Sequence, residues 1–340
     1  MNISLSLLFF LVVGGPLLGD IVPTPGSVPI VPLFEKSDLV CNCFVKSLTP
    51  IREHIEGKCP GPSRLRADVE VRDTYKSQLV DGGSIVVEFD GDGWCNSSQP
   101  GLRQGETDLL FLQATGQGTY EFPDRFEVVT PFSSLPQERN EVGLRKLEFA
   151  LAAVLPRSNR DDQMRAMTLL HGFDALSQES IANATPLAAS KDPEIACWAL
   201  AILVKTKTPG SLERVRSFLE EYQGNQAPTA IFAVGSDLGQ IRDLRTLPDL
   251  KALSSSKYVN IRFAVIDALR GMKSPQGAPI LIQLLDDPNR DVQWLAVVGL
   301  ADIFGKQGDY ANPGGDAFFK SPSYYTNLWK KWWADQGAKQ

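Results

Sequence analysis

Residues 246–269 return 31 positions later as residues 277–300. Pro248 recurs as Pro279, Leu250 as Leu281, Leu253 as Leu284, Ile261 as Val292, Phe263 as Trp294, Val265 as Ala296 and Leu269 as Leu300. One step further back, Phe232, Ala233, Val234 and Leu238 stand 31 positions before Phe263, Ala264, Val265 and Leu269. The register runs without a gap. A fixed period of roughly 20–50 residues marks a stack in which each repeat hides its apolar face only against its neighbours. Each repeat reads as two short helices, one starting near Pro248 or Pro279, the other near Val259 or Arg290.

The helical pattern extends upstream. Val142, Leu144, Leu147, Leu151 and Leu155 predict one amphipathic helix, and Met164, Met167, Leu170 and Phe173 predict the next. Asp192-Pro193 and Asp287-Pro288 read as helix starts, since a proline in the first turn removes an amide that has no partner there. Tyr325, Trp329, Trp332 and Trp333 fall on one face of a last helix, with Lys330, Lys331 and Asp335 on others. Such a helix suits the end of a stack. About five helix pairs are expected over 137–340, closed by this Trp-rich capping helix.

Before residue 133 the pattern is that of β-structure. Leu39–Val45, Ala67–Tyr75, Ser84–Phe89, Leu109–Leu112, Gly118–Tyr120 and Arg125–Val129 are the candidate strands, with Asp81-Gly82-Gly83 as a turn. Short strands packed into residues 33–132 predict a small barrel or sandwich. The expected fold class is therefore multidomain β + α, a small β-barrel followed by an α-solenoid. A length of 340 residues with 43% hydrophobic and 22% charged residues agrees with two globular domains.

Residues 3–13 are an apolar run ended by Gly14, Gly15 and Pro16, too short to span a bilayer. The run reads as a signal peptide over 1–19, cleaved near Gly19, and implies a secreted or periplasmic protein. No stable membrane span is expected in the mature chain. Residues 20–32, with Pro23, Pro25, Pro29 and Pro32, read as an extended linker. The formal charge is −6, which repels phosphate backbones and argues against nucleic acid as a partner.

Four of the five cysteines, Cys41, Cys43, Cys59 and Cys95, lie close together in the β-region and are disulfide candidates for an oxidising compartment. Cys41 and Cys43 sit two apart on a strand and face the same side. Three connectivities remain open, and the split between Cys59 and Cys95 does not suit paired zinc ligands. Cys197 reads as a buried thiol. His54, between Glu53 and Glu56, reads as a solvated loop residue and His171 as a helix-packing residue. Asp90-Gly91-Asp92-Gly93 begins like a calcium loop, but position 12 is Gly101 rather than Glu, so it reads as a hairpin turn. No residue is assigned a catalytic, cofactor-binding or metal-binding role, and no cofactor is expected.

These features carry two resemblances. The Asp-Pro turns, the proline-initiated helices and the small central residues Ala264, Ala268, Ala296 and Gly299 resemble the HEAT-repeat family, most strongly over 228–304. That resemblance implies stacked HEAT-like helix pairs, a protein-binding concave face and no catalytic motif. Ser37-Asp38-Leu39-Val40 beside Cys41-x-Cys43, then Ala67–Val71 before Tyr75-Lys76, then Gly105-Glu106 before Leu109–Leu112 resemble the netrin-like barrel of tissue inhibitors of metalloproteinases. This second likeness implies an OB-fold domain. In those inhibitors a free N-terminal cysteine chelates the protease zinc, whereas Cys41 lies about 20 residues past Gly19. Asn96-Ser97-Ser98 fits a glycosylation acceptor, which the bacterial look of the compact repeats makes idle. The expected function is an extracytoplasmic, non-enzymatic protein-binding or scaffold role through the solenoid surface. The alternative is a regulator or inhibitor of an extracellular hydrolase acting through the β-domain.

Overall fold

The computed structural model describes residues 30–51, 64–77, 83–90, 102–122, 130–131, 142–156, 159–222, 224, 228–306 and 312–336. The signal segment 1–19, His54, Cys59, Cys95, Asn96, the Gly91–Gly93 turn and the Arg125–Val129 strand lie outside them. The chain divides into two compact parts, Met1–Leu144 and Arg145–Gln340.

The first part opens with helix α1, Ile30–Lys36. This corrects the reading of 20–32 as linker throughout. Pro32 sits in the first turn of α1, where the missing amide costs nothing, so the proline did not mark extended chain there. Among the described residues six strands follow: β1 Leu39–Pro50, β2 Arg64–Lys76, β3 Ser84–Asp90, β4 Thr107–Ala114, β5 Tyr120–Glu121 and β6 Thr130–Pro131. β1 runs antiparallel to both β2 and β4, β2 to β3, and β4 to β5. β3 meets β5 in parallel at Val87 and Tyr120, which closes a five-stranded barrel, and β6 pairs antiparallel with β4 at Asp108 and Leu109.

Alternation decides which residues fill the barrel. Leu39, Cys41, Cys43 and Val45 of β1 pack with Ala67, Val69 and Val71 of β2, Ile85, Val87 and Phe89 of β3, and Leu110 and Leu112 of β4. The opposite face of β1 and β4 is apolar and buried too, through Val40, Leu109 and Phe111. That double burial explains why β4 reads as a continuous apolar run instead of alternating. α1 is tied down by the Lys76 ammonium, which donates to the carbonyls of Phe34 and Glu35 at 2.8 Å, and by Gln113, which donates to that of Lys36.

The second part is helical among the described residues. Its helices are α2 Gly143–Ala152, α3 Arg160–His171, α4 Gln178–Ala184, α5 Pro193–Lys205, α6 Ser211–Glu221, α7 Ile231–Leu238, α8 Leu247–Leu253, α9 Val259–Met272, α10 Ala278–Leu284, α11 Arg290–Phe304, α12 Gly315–Lys320 and α13 Pro322–Gln336. The starts of α8, α9, α10 and α11 fall where the 31-residue period puts them. Three details differ. Val142 is 82% exposed and lies before α2, so the buried stripe begins at Leu147. Leu155 is buried but follows the end of α2. Phe173 is buried but follows the end of α3.

Packing is sequential. α3 lies against α5, α5 against α7, α7 against α9 and α9 against α11. Helices α4, α8 and α10 pack beside the long helix that follows each. The small residues of the repeat permit this closeness. A Cβ on Gly299 of α11 would stand 3.1 Å from Leu281 of α10 and from Arg270 of α9. α12 and α13 pack on α11, and Trp329 is only 1% exposed. Rings of Trp329, Trp332 and Trp333 gather round Phe304, the last residue of α11.

Candidate interaction surface

Four clusters carry the chemistry among the described residues. The first lies in the barrel. Cys41 and Cys43 are fully buried on β1 and their sulfurs pair with each other, with Cα atoms 5.9 Å apart. The β1–β2 register is irregular between Val40 and Cys41, just before the pair, and between Asn42 and Cys43, within it. The shared facing of the two cysteines is legible in the sequence but their mutual pairing is not, and Cys59 and Cys95, the other candidates, lie outside the described residues.

The second cluster joins two repeats. Arg262 of α9 and Asp287, in the turn before α11, form a buried ion pair with two bonds, Nε to Oδ2 at 2.7 Å and Nη2 to Oδ1 at 2.9 Å. Arg262 also donates to the carbonyl of Ser256. Asp287 further accepts from the Asn289 amide, and Gln293 donates to the Asp287 carbonyl at 2.7 Å. Both residues of the 31-spaced pair Arg262 and Gln293 therefore serve the same turn. Asn289, rather than Asp287, caps α11 by accepting from the amides of Asp291 and Val292. At α5 the expected cap holds, with Asp192 accepting from Glu194 and Ile195.

The third cluster surrounds His171. Its Nε2 lies 2.7 Å from Oδ2 of Asp237 on α7, and its ring meets Trp198 of α5 edge-on at 5.5 Å. The Lys205 ammonium donates to the His171 carbonyl. Burial holds the Lys205 ammonium below the usual lysine range, against the pull of Asp237 and Asp174. The histidine thus links α3, α5 and α7, as a packing residue does. A cleft of about 260 Å³ beside it is lined by Phe173, Asp174 and Lys205, and a second of about 480 Å³ by Ser254, Arg262 and Asp287. Neither is lined by His171 or Asp237. Cys197 is buried on α5 as expected, and burial, with nearby Glu194, pushes its thiol up to about 12, so it is a thiol and not a thiolate. Among the described residues no group of His, Cys, Asp and Glu is arranged to hold a metal ion.

The fourth feature is a face. Phe232 on α7, Phe263 on α9 and Trp294 on α11 occupy the same repeat position. Phe232 is 57% exposed, and Phe263 and Trp294 are half-buried. The Trp294 indole donates to the Pro313 carbonyl, and its ring lies 6.2 Å from Phe319. By helical spacing, Asp267 and Arg270 share the Phe263 side of α9, and Asp291, Val298 and Asp302 share the Trp294 side of α11. Arg270 bridges the two helices, 2.8 Å from Asp302 and 3.5 Å from Asp267. The sequence showed the 31-residue recurrence of these rings but not that Phe232 is exposed while the other two are half-buried.

Among the described residues no helix is long and apolar enough to cross a membrane. No curated protein matches the chain significantly. A family model described as HEAT repeats matches residues 218–301, the stretch that holds α7 to α11 and all three aromatic positions.

Proposed function

We propose that this protein is an extracytoplasmic, non-enzymatic scaffold that holds a protein partner on the solenoid formed by its helix pairs. Support comes from one observation above all. α5, α7, α9 and α11 pack each on the next, and the HEAT-repeat match covers three of them. Helices stacked in this way offer a long rigid face, and a face already ordered loses little entropy on binding. Glu148, Asp192 and Asp287 accept hydrogen bonds that fix turns, and His171 bridges three helices. The apolar run at 3–13 supports export. On this reading the five-stranded barrel is an OB-type, netrin-like domain.

Two experiments test the reading. Sequencing of the mature N-terminus should begin at Asp20, and a chain that keeps Met1 in the cytoplasm would end the export part. A photo-crosslinker at Ser236 on α7, one turn beyond Phe232, should capture a protein from culture fluid or envelope. Capture from a barrel position alone would overturn the helical face as the binding surface. The inhibitor alternative fares worse, because Cys41 is buried within β1 and paired on both sides to β2 and β4. Freeing its amine would sever α1 from the barrel.

A further inference from the structure

The cleft of about 260 Å³ lies where the end of α3, the start of α4 and the end of α5 come together. It is smaller than the roughly 300–1,000 Å³ of sites for drug-sized ligands, so it suits a ligand of few atoms. One wall is apolar, made by buried Phe173 and half-buried Leu176 and Ile181. Lys205, Asp174 and Gln178 are among its polar groups.

Those three side chains keep spare bonding capacity. An ammonium has three donors, and among the described residues Lys205 uses one, on the His171 carbonyl. Asp237 and Asp174 act on Lys205 electrostatically, but among the described residues neither forms an ion pair with it. Asp237 is engaged by His171 and does not line the cleft. The exposed side chains of Asp174 and Gln178 bond to no other described residue. A half-buried cation and an exposed anion thus share one small cleft, near enough to feel each other and not in contact. The larger cleft differs, because there Arg262 is paired with Asp287 and Asp286 with Lys330.

The charges of a ligand can be weighed against this lining. A simple carboxylic acid would meet Lys205 but face the like charge of Asp174. A simple amine has the opposite conflict. Either end of a peptide carries one of the two charges and never both on one carbon. A free α-amino acid carries both on one carbon, so it can answer a cation and an anion that stand apart. Its side chain would lie on the apolar wall, where an aliphatic group gains by leaving water and a third charge would be left unpaired.

From this lining we infer that the cleft between α3, α4 and α5 binds a free aliphatic α-amino acid, with its carboxylate on Lys205 and Gln178, its ammonium on Asp174 and its side chain against Phe173, Leu176 and Ile181. The inference goes beyond the scaffold reading and does not depend on it.

The probe is L-leucine, titrated into the full chain by isothermal calorimetry. N-acetyl-L-leucine, which keeps only the carboxylate, and L-leucinamide, which keeps only the amine, are titrated beside it. Leucine should give a saturable heat with one site per chain. Each blocked form should bind about tenfold more weakly or worse, the scale of one lost bond between charged groups. Asp174→Asn alters an exposed side chain and should leave the circular dichroism spectrum unchanged. It should weaken leucine about tenfold while N-acetyl-leucine binds no worse than before, so that the preference between them collapses. Lys205→Gln should remove the preference for leucine over leucinamide in the same way. Tyr324→Ala on α13 should leave leucine binding as it was. No saturable leucine heat with folded protein, equal or tighter binding of N-acetyl-leucine to the parent chain, or indifference to Asp174→Asn would each overturn the inference. None of these outcomes bears on the crosslinking test of the helical face, so the two readings fail separately.

Discussion

The barrel and the helical part reach order by opposite routes. In the barrel, β1 pairs with β2, from Pro50 with Leu65 to Val40 with Lys76, and with β4, still further along the chain, and the ring shuts only when β3 finds β5. Every strand depends on partners distant in sequence. In the helical part each long helix packs chiefly on the next one and on its own short companion, and the His171–Asp237 bond from α3 to α7 is a longer reach. The lesson concerns how damage spreads. A fault in a ring is shared by the whole ring, whereas a fault in a row stays near its site.

The sharpest test is Arg262→Ala. It leaves Asp287 as a buried charge without its partner, and removing one member of a buried pair costs about 3–5 kcal/mol. Hydrogen exchange should rise in α9, the turn at Asp287 and α11, while β1–β4 amides keep their protection. Loss of protection across the barrel as well would erase the contrast. Leu110→Ala is the counterpart. It opens a cavity inside the ring at a cost of about 2–5 kcal/mol, and exchange should increase in all of β1–β4 together. Protection that falls only in β4 would mean the barrel is less cooperative than its topology implies.

Glu148→Gln has a smaller effect and a pH signature. Burial alone would push the Glu148 carboxyl up, but bonds from Ser180 and Ser177 and the charge of Arg145 together hold it below the usual carboxylate range. A carboxyl with a lowered folded value stabilises the fold above its unfolded value, and that contribution disappears as pH falls through the folded value. The variant should lose about 1–3 kcal/mol at neutral pH through the disturbed bonds. The gap to the parent chain should narrow as the solution becomes acid, as read from urea midpoints across pH. A gap that stays constant with pH would show that the charge of Glu148 is irrelevant. Last, Glu88→Gln removes a surface partner of Arg64 and Arg66. Exposed pairs of this kind are screened by water, so no change in the barrel midpoint is expected.

The two parts also differed in how plainly the sequence announced them. The 31-residue register foretold the starts of α8 to α11 because each helix is specified by its own apolar stripe, and α8, α10 and α11 also carry a proline at or beside their starts. Alternation likewise marked β2, and the Asp81-Gly82-Gly83 turn signal marked the start of β3. What stayed hidden were relations between distant residues. Asp287 looks like a helix-starting residue, and nothing local tells that Arg262, on the preceding repeat, claims its carboxylate. His171 and Asp237 are 66 positions apart, and no spacing rule joins them. α1 was masked by its prolines, and the mutual pairing of Cys41 and Cys43 by bulges that only the neighbouring strands create. For the aromatic row, recurrence of Phe232, Phe263 and Trp294 was visible, whereas the exposure of Phe232 depends on which side of α7 its neighbours cover.

The bond between Cys41 and Cys43 encloses a single intervening residue, Asn42. A bridge that short scarcely shrinks the repertoire of the unfolded chain, since the entropy gained grows with loop length. Its influence is local: it fixes the path of one strand where that strand is irregular. Mild reductants should then leave the melting temperature of the barrel nearly where it was and relax only the curvature of β1.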